Sequence, residues 1–524
     1  MRTHRILWLI ALLFLVIGCL TIHDYNITWD EPENFMIGRI YFNAYLHPLS
    51  DILAHPTTLP IPPPLPFRTE THYERYPPFA DTLASITSFA LGERAKLLDP
   101  IAAHHLTAVI FGSLAILTTG LITVELTESP IAAIVAALAL ATYPLFIGLS
   151  HTDIKDVPGA AMFTLTIYTI LRAIKKKSYI TTLIAGMTWG MALATKVSNT
   201  FAPVVIAVTL LLTMRVWHRR LLHQSINHVV LFSLAGGTSL LAAWPWLITD
   251  TIPHLLLIYQ YINEVGRGLP VLFAGRVYHA GIDTPWYYAP VSIAVVTPIP
   301  MLLAAILGIG VSIHRQKNEQ GKPLLLLPVV WVCIILTRYL FPSITVYNGI
   351  RQFLEVIPAI AILTGIGVGW IIRKFGTMTR FSPILTALTL AVLFIPTARN
   401  DVVLHPYEML YFNRMSGGIQ KASTTYEFDY WGFSAGELVK RVNALPEVQG
   451  KTVNINWLDF PSWYFPDNRL TFVPSDASPD YVIVPHSENF FVGAKTYWDT
   501  HGRRLYTITR VGAEVGYLYE AVKP

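Results

Sequence analysis

A chain of 524 residues in which 53% are hydrophobic and 14% charged is not one water-soluble globule, whose charged share would be about 25%; it is expected to cross a membrane many times. The formal net charge of +5 is small for this length, and Lys and Arg fall in short clusters between apolar runs, which sets topology and argues against a nucleic-acid surface. The two cysteines, Cys19 and Cys333, each lie in an apolar run, which excludes a disulfide framework and a multi-cysteine zinc site.

Met1 to Arg5 ahead of an apolar run imitates a signal peptide, but Gly18-Cys19-Leu20 offers no convincing small-residue cleavage site. Ile6 to Ile22 is therefore read as an uncleaved first span. Further runs long enough to cross a bilayer lie near 104–124, 130–149, 157–174, 179–196, 200–217, 228–248, 289–313, 323–341, 353–372 and 382–398, about eleven spans in all. If they alternate, Arg2 and Arg5, the Arg172 to Lys177 cluster, Arg215 to Arg220, His314 to Lys317 and Arg373-Lys374 share one side. The positive-inside rule makes that side cytoplasmic, with the N-terminus, and fits an integral protein of the plasma (inner) membrane. The loop of Asp30, the turn His151 to Asp156, the stretch 249–288, the loop of Arg351 and the tail after Arg399 then share the outer face.

Just beyond the first span, Thr28-Trp29-Asp30-Glu31-Pro32-Glu33 gathers three carboxylates. Acids outside a membrane helix can orient a hydroxyl, take its proton or hold a metal; equally, Asp30 could cap the next helix, with Pro32 in its first turn. The loop 23–103 is far longer than a turn requires. In it, Pro56 to Pro66 is too proline-rich for a helix, and Phe79 to Leu91 reads as an interfacial helix. His72, with Tyr73 beside it, is a candidate substrate contact, although a lone loop histidine is more often a surface residue. The next outer turn, Ser150 to Pro158, brings Asp153, Lys155 and Asp156 together, an acid pair with a lysine between. Either it is a helix start capped by Asp156, or it serves a phosphate-bearing substrate. Lys196, Arg338 and Arg351 lie on the same face against the positive-inside trend, and suggest an anionic ligand. Residues 249–288, rich in Tyr and Trp, read as an aromatic belt or as a groove for an isoprenoid chain. From Arg399 polar residues return, with strand-like alternation in Thr452 to Trp457, Asp480 to Val484 and Leu505 to Ile508 and an amphipathic run from Ser434 to Leu445. The fold class is thus a polytopic α-helical membrane protein with a transmembrane part, 1–398, and an extracytoplasmic α/β domain, 399–524.

Trp29-Asp30-Glu31, Lys155-Asp156-Val157-Pro158 and the long first loop resemble the GT-C glycosyltransferases of the protein O-mannosyltransferase and aminoarabinose-transferase superfamily. His405-Pro406-Tyr407-Glu408 and Asp429-Tyr430-Trp431-Gly432 are similar to stretches in other members. The resemblance implies a hexosyl- or pentosyltransferase with a polyprenyl-phosphate-linked sugar donor and a hydroxyl-bearing glycan, lipid or protein acceptor. It points to Asp30 as base, with Glu31 or Asp156 positioning substrate or metal, and to Lys155, Lys196 and Arg351, alongside Asp153, His72 and Tyr73, as substrate-binding residues. Displacement by one base would invert the anomeric centre. A divalent metal ion requires that Asp30 and Asp156 converge. No trimannosyl-binding β-trefoil repeat and no Trp-Trp-Asp signature is present, which counts against a protein acceptor. The alternative is a multi-span transporter or flippase of a lipid-linked or anionic substrate, in which the charges would lie at mid-bilayer depth instead of in loops.

Overall fold

The computed structural model describes residues 2–46, 75–213, 220–318, 323–376, 382–455, 469–474, 477–487 and 493–522. The Pro56 to Pro66 run, His72 and Tyr73 lie outside them.

Helices dominate. Among the described residues six are long and apolar enough to cross a membrane, Arg2–Asp24, Pro100–Thr127, Asp156–Lys176, Ile226–Ala243, Val356–Phe375 and Pro383–Leu404, and five shorter apolar helices lie between them. The positions follow the expected spans. Helix starts are chemically marked: the Asp99 carboxylate accepts from the N–H groups of Ile101 and Ala102 ahead of Pro100, and Ser129 accepts from Ala132 N–H ahead of Pro130.

Several expected spans are broken in a way hydropathy does not reveal. The 130–149 run is two helices, α1 (Pro130–Ala141) and α2 (Pro144–Leu149), because Tyr143 is pushed to extended backbone by the proline after it. The 289–313 run is likewise split into α3 (Tyr288–Val296) and α4 (Ile299–Asn318). Thr297 is extended and precedes Pro298, so carbonyls at the break lose their helical donors. Asn413, from the chain beyond the last long helix, replaces them: its side-chain amide donates to the carbonyls of Ala294 (2.6 Å) and Thr297 (2.7 Å), and its N–H to that of Val295 (2.8 Å). Broken backbone at membrane depth is tolerable when protein groups satisfy it in this way.

Pro100–Thr127 is the buried centre of the bundle, while Arg2–Asp24 and Pro383–Leu404 lie on its rim. Close approach depends on small residues. α4 packs on α5 (Val356–Gly376) where a Cβ on Gly367 would collide with the Ala304 carbonyl and one on Gly308 with that of Leu363; Gly365 meets α1 at Ala132 in the same manner.

Residues 249–288 are more ordered than an aromatic loop: a helix, Thr251–Glu264, precedes an antiparallel hairpin of β1 (Pro270–Phe273) and β2 (Arg276–His279). After the last long helix, which ends at Leu404, the chain runs across one end of the bundle. It then builds a five-stranded sheet of β3 (Thr452–Ile455), β4 (Thr471–Phe472), β5 (Tyr481–Pro485), β6 (Gly502–Arg510) and β7 (Ala513–Ala521) in the order β4-β3-β5-β7-β6. β3 is parallel to β4 and β5; β7 is antiparallel to β5 and β6. The amphipathic helix Phe433–Asn443 covers β5 and β7.

Candidate active site

The acidic turn after the first span is built by Glu31. One of its oxygens accepts from the N–H (2.8 Å) and hydroxyl (2.9 Å) of Thr28, the glutamate half of a capping box; the other meets Nε2 of His105 at 2.6 Å. Both side chains are fully buried. Asp30 stands at the cap position of the helix Glu31–Tyr45, yet its side chain makes no capping bond. It turns towards a cavity of about 880 Å³ instead.

That cavity gathers most of the residues singled out from the sequence: Asp30, Asp153, Lys155, Asp156, Lys196 and Arg351 all line it, with Glu33, Arg75 and Arg338. Glu31 is not among its lining residues. The second acidic turn divides its labour. Asp153 accepts from the N–H groups of Lys155 (2.9 Å) and Asp156 (2.7 Å), so it supplies the helix-start cap that Asp156 could have supplied. Burial, and then the neighbouring Asp156 charge, hold the Asp153 carboxyl above the usual range. Asp156 is left free for ion pairs, with Lys196 Nζ at 2.8 Å and Arg351 Nη1 at 3.4 Å.

Arg351 is the hinge of the arrangement, since the same Nη1 reaches Asp30 Oδ2 at 3.1 Å. Burial works to lower its pKa, but Asp30 and Asp156 outweigh that and hold it above its ordinary value. Its loop follows a left-handed Asn348-Gly349 pair, whose two N–H groups donate to the buried Glu427 carboxylate at 2.7 and 2.9 Å, while the Tyr288 hydroxyl donates to the same group. Lys196 also meets Glu355 at 3.5 Å and donates to the carbonyls of Arg351 and Gln352. Lys155 lies 4.0 Å over the Tyr76 ring. Among the described residues neither Lys155 nor Arg75 has a carboxylate within ion-pair distance.

The C-terminal side closes the cavity. Trp431 Nε1 donates to Asp30 Oδ2 at 3.1 Å, its carbonyl accepts from Trp29 N–H at 3.1 Å, and its ring lies 4.8 Å from the Arg351 guanidinium. Tyr430 lines the cavity next to it. Asp429-Tyr430-Trp431-Gly432 is legible in the sequence as a motif, but not as part of the site. Glu355 and Glu427 carry no sequence signal beyond being acids near an apolar run. A metal held between Asp30 and Asp156 does not fit, because the Arg351 guanidinium already bridges them, and no cluster of three or more metal-binding side chains occurs among the described residues.

A multi-span helical body, a cavity at one bundle end walled by opposed acids and bases, and a C-terminal sheet domain together define a membrane protein of the GT-C fold. More particularly, residues 96–248 match the family model described as dolichyl-phosphate-mannose-protein mannosyltransferase. The crystal structure of ArnT from Cupriavidus metallidurans in the apo state has the same fold, with a TM-score of 0.52 and 14% identity over 97% of each chain. No curated protein matches the sequence.

Proposed function

We propose that the protein moves a sugar from a polyprenyl-phosphate-linked donor to a hydroxyl acceptor on the outer face of the membrane, with inversion and with Asp30 as the base. The observation that carries this reading is the state of the Asp30 carboxylate. Oδ2 takes both Arg351 and Trp431, whereas Oδ1 has no partner among the described residues; Asp30 lines a cavity with two cations, Arg75 and Lys155, that meet no carboxylate among the described residues. In the reaction the acceptor oxygen bonds to the anomeric carbon, the bond from that carbon to the phosphate oxygen breaks with its electron pair leaving on the phosphate, and the acceptor proton passes to Asp30. Lys155 and Arg75 are placed to neutralise the leaving phosphate. Lys196 and Arg351 are already held by Asp156, Glu355 and Asp30, and their part is to keep the acids in place. The catalytic acids lie in turns at helix starts, which supports transfer over transport.

The test compares lipid-linked sugars and envelope glycans of a deletion strain by mass spectrometry, then restores the parent or Asp30→Asn. The parent is expected to consume a polyprenyl-phosphate sugar that accumulates in the deletion, and Asp30→Asn to lose about a hundredfold to ten-thousandfold in rate. Near-parental turnover by Asp30→Asn would remove it as the base.

A further inference from the structure

We propose that Trp431 is a positioning residue for transfer: it and Arg351 hold one oxygen of Asp30 so that the other faces the acceptor hydroxyl, and the segment Glu427 to Trp431 thereby sets the site from the C-terminal side. The inference rests on the reading of Asp30 as base. A carboxylate on a turn can rotate about its last bond and offer either oxygen; two donors converging on Oδ2 fix the choice. The indole N–H is one of them, and the Trp431 carbonyl takes Trp29 N–H at 3.1 Å, so the turn and its acid are held at two adjacent points by one residue. Four positions earlier, Glu427 accepts from Asn348 and Gly349 and so fixes the loop that delivers Arg351, the other donor. The segment between is itself rigid: Asp429 takes Phe433 N–H at 2.7 Å and the Ser434 hydroxyl at 2.6 Å. Both donors to Asp30 are thus placed by one short stretch of the C-terminal region, and that stretch has no counterpart in the acid clusters that mark the site in the sequence.

Trp431→Phe keeps an aromatic ring over Arg351 and removes only the donor. Purified protein is given the total lipid extract of the deletion strain as donor and its envelope fraction as acceptor, and the polyprenyl phosphate released is read by mass spectrometry. The maximal rate is expected to fall about tenfold to a hundredfold, as for a misplaced reacting group. The half-saturating amount of lipid extract, and the rise in melting temperature on adding undecaprenyl phosphate, should be unchanged. Val448→Ala, at a buried position of the C-terminal domain outside this segment that does not line the cavity, controls for loosened packing and should keep the parental rate. A parental rate in Trp431→Phe, a parallel rate loss in Val448→Ala, or loss of the undecaprenyl phosphate effect in Trp431→Phe overturns the proposal. A parental rate in Asp30→Asn overturns the base reading as well, so the two failures are told apart.

Discussion

At the scale of single residues, adjacent acids have been given unrelated work. Asp30 and Glu31 are neighbours in sequence and indistinguishable by type, but Glu31 is sealed against His105 and Thr28 while Asp30 faces the cavity. Glu31→Ala strands buried donors and is expected to cost about 1–3 kcal/mol, read as a lower melting temperature in detergent. Glu31→Gln keeps an acceptor for Thr28 and should retain the parental rate per folded molecule; a loss as large as that of Asp30→Asn would show that Glu31 acts in the chemistry. The cluster itself was legible as three carboxylates just beyond an apolar run, with a helix cap as ready an explanation as chemistry. Which of them faces the cavity was not, since the choice is made by His105 and Trp431, 74 and 401 positions away. Lys196 and Arg351 were legible as basic residues on the face of the acids, but not as the internal partners that hold Asp156.

At the scale of elements, hydropathy located the spans because a bilayer demands long apolar runs whatever packs against them. It passed over the breaks before Pro144 and Pro298, because the side chains on either side remain apolar. The break between α3 and α4 is kept by Asn413, whose partners are backbone carbonyls and leave no trace in composition. Asn413→Leu removes that amide from buried carbonyls and is expected to destabilise by about 1–3 kcal/mol. Gly367→Leu drives a side chain into the Ala304 carbonyl and should also destabilise, by about 1–3 kcal/mol or more. Thermal unfolding in one detergent checks both; an unaltered melting temperature in either variant would show that its contact is dispensable.

At the scale of the whole molecule, the C-terminal region is fastened to the bundle at the same end as the cavity, and one of the fasteners titrates. His405 meets Asp24 at 3.0 Å and Glu408 at 2.8 Å. The Glu408 bond first, and Asp24 after it, push its pKa up to about 9 from an ordinary value of 6.5, against a smaller opposing effect of burial. A folded-state pKa raised in this way contributes stability that is complete below pH 6.5 and lost as pH rises towards 9. The melting temperature should therefore decline across that window, and His405→Gln should flatten the decline; a slope left unchanged by the substitution would assign it elsewhere. The larger consequence is directional. Asp30, Asp156, Arg351 and Trp431 meet at one end, and Arg172 and Lys175 pair with Glu125 at the far ends of the helices Asp156–Lys176 and Pro100–Thr127. Arg2 and Arg5 begin the first long helix, away from the acidic turn that follows its end, so the positive-inside rule predicts that the cavity and the sheet domain face outward. Reporter fusions after Lys176 and after Lys523 are expected to report opposite sides, the first cytoplasmic and the second not. Both on one side would break the alternation of spans, and a cytoplasmic second reporter would place the acids facing the cell interior and end the assignment to the outer face.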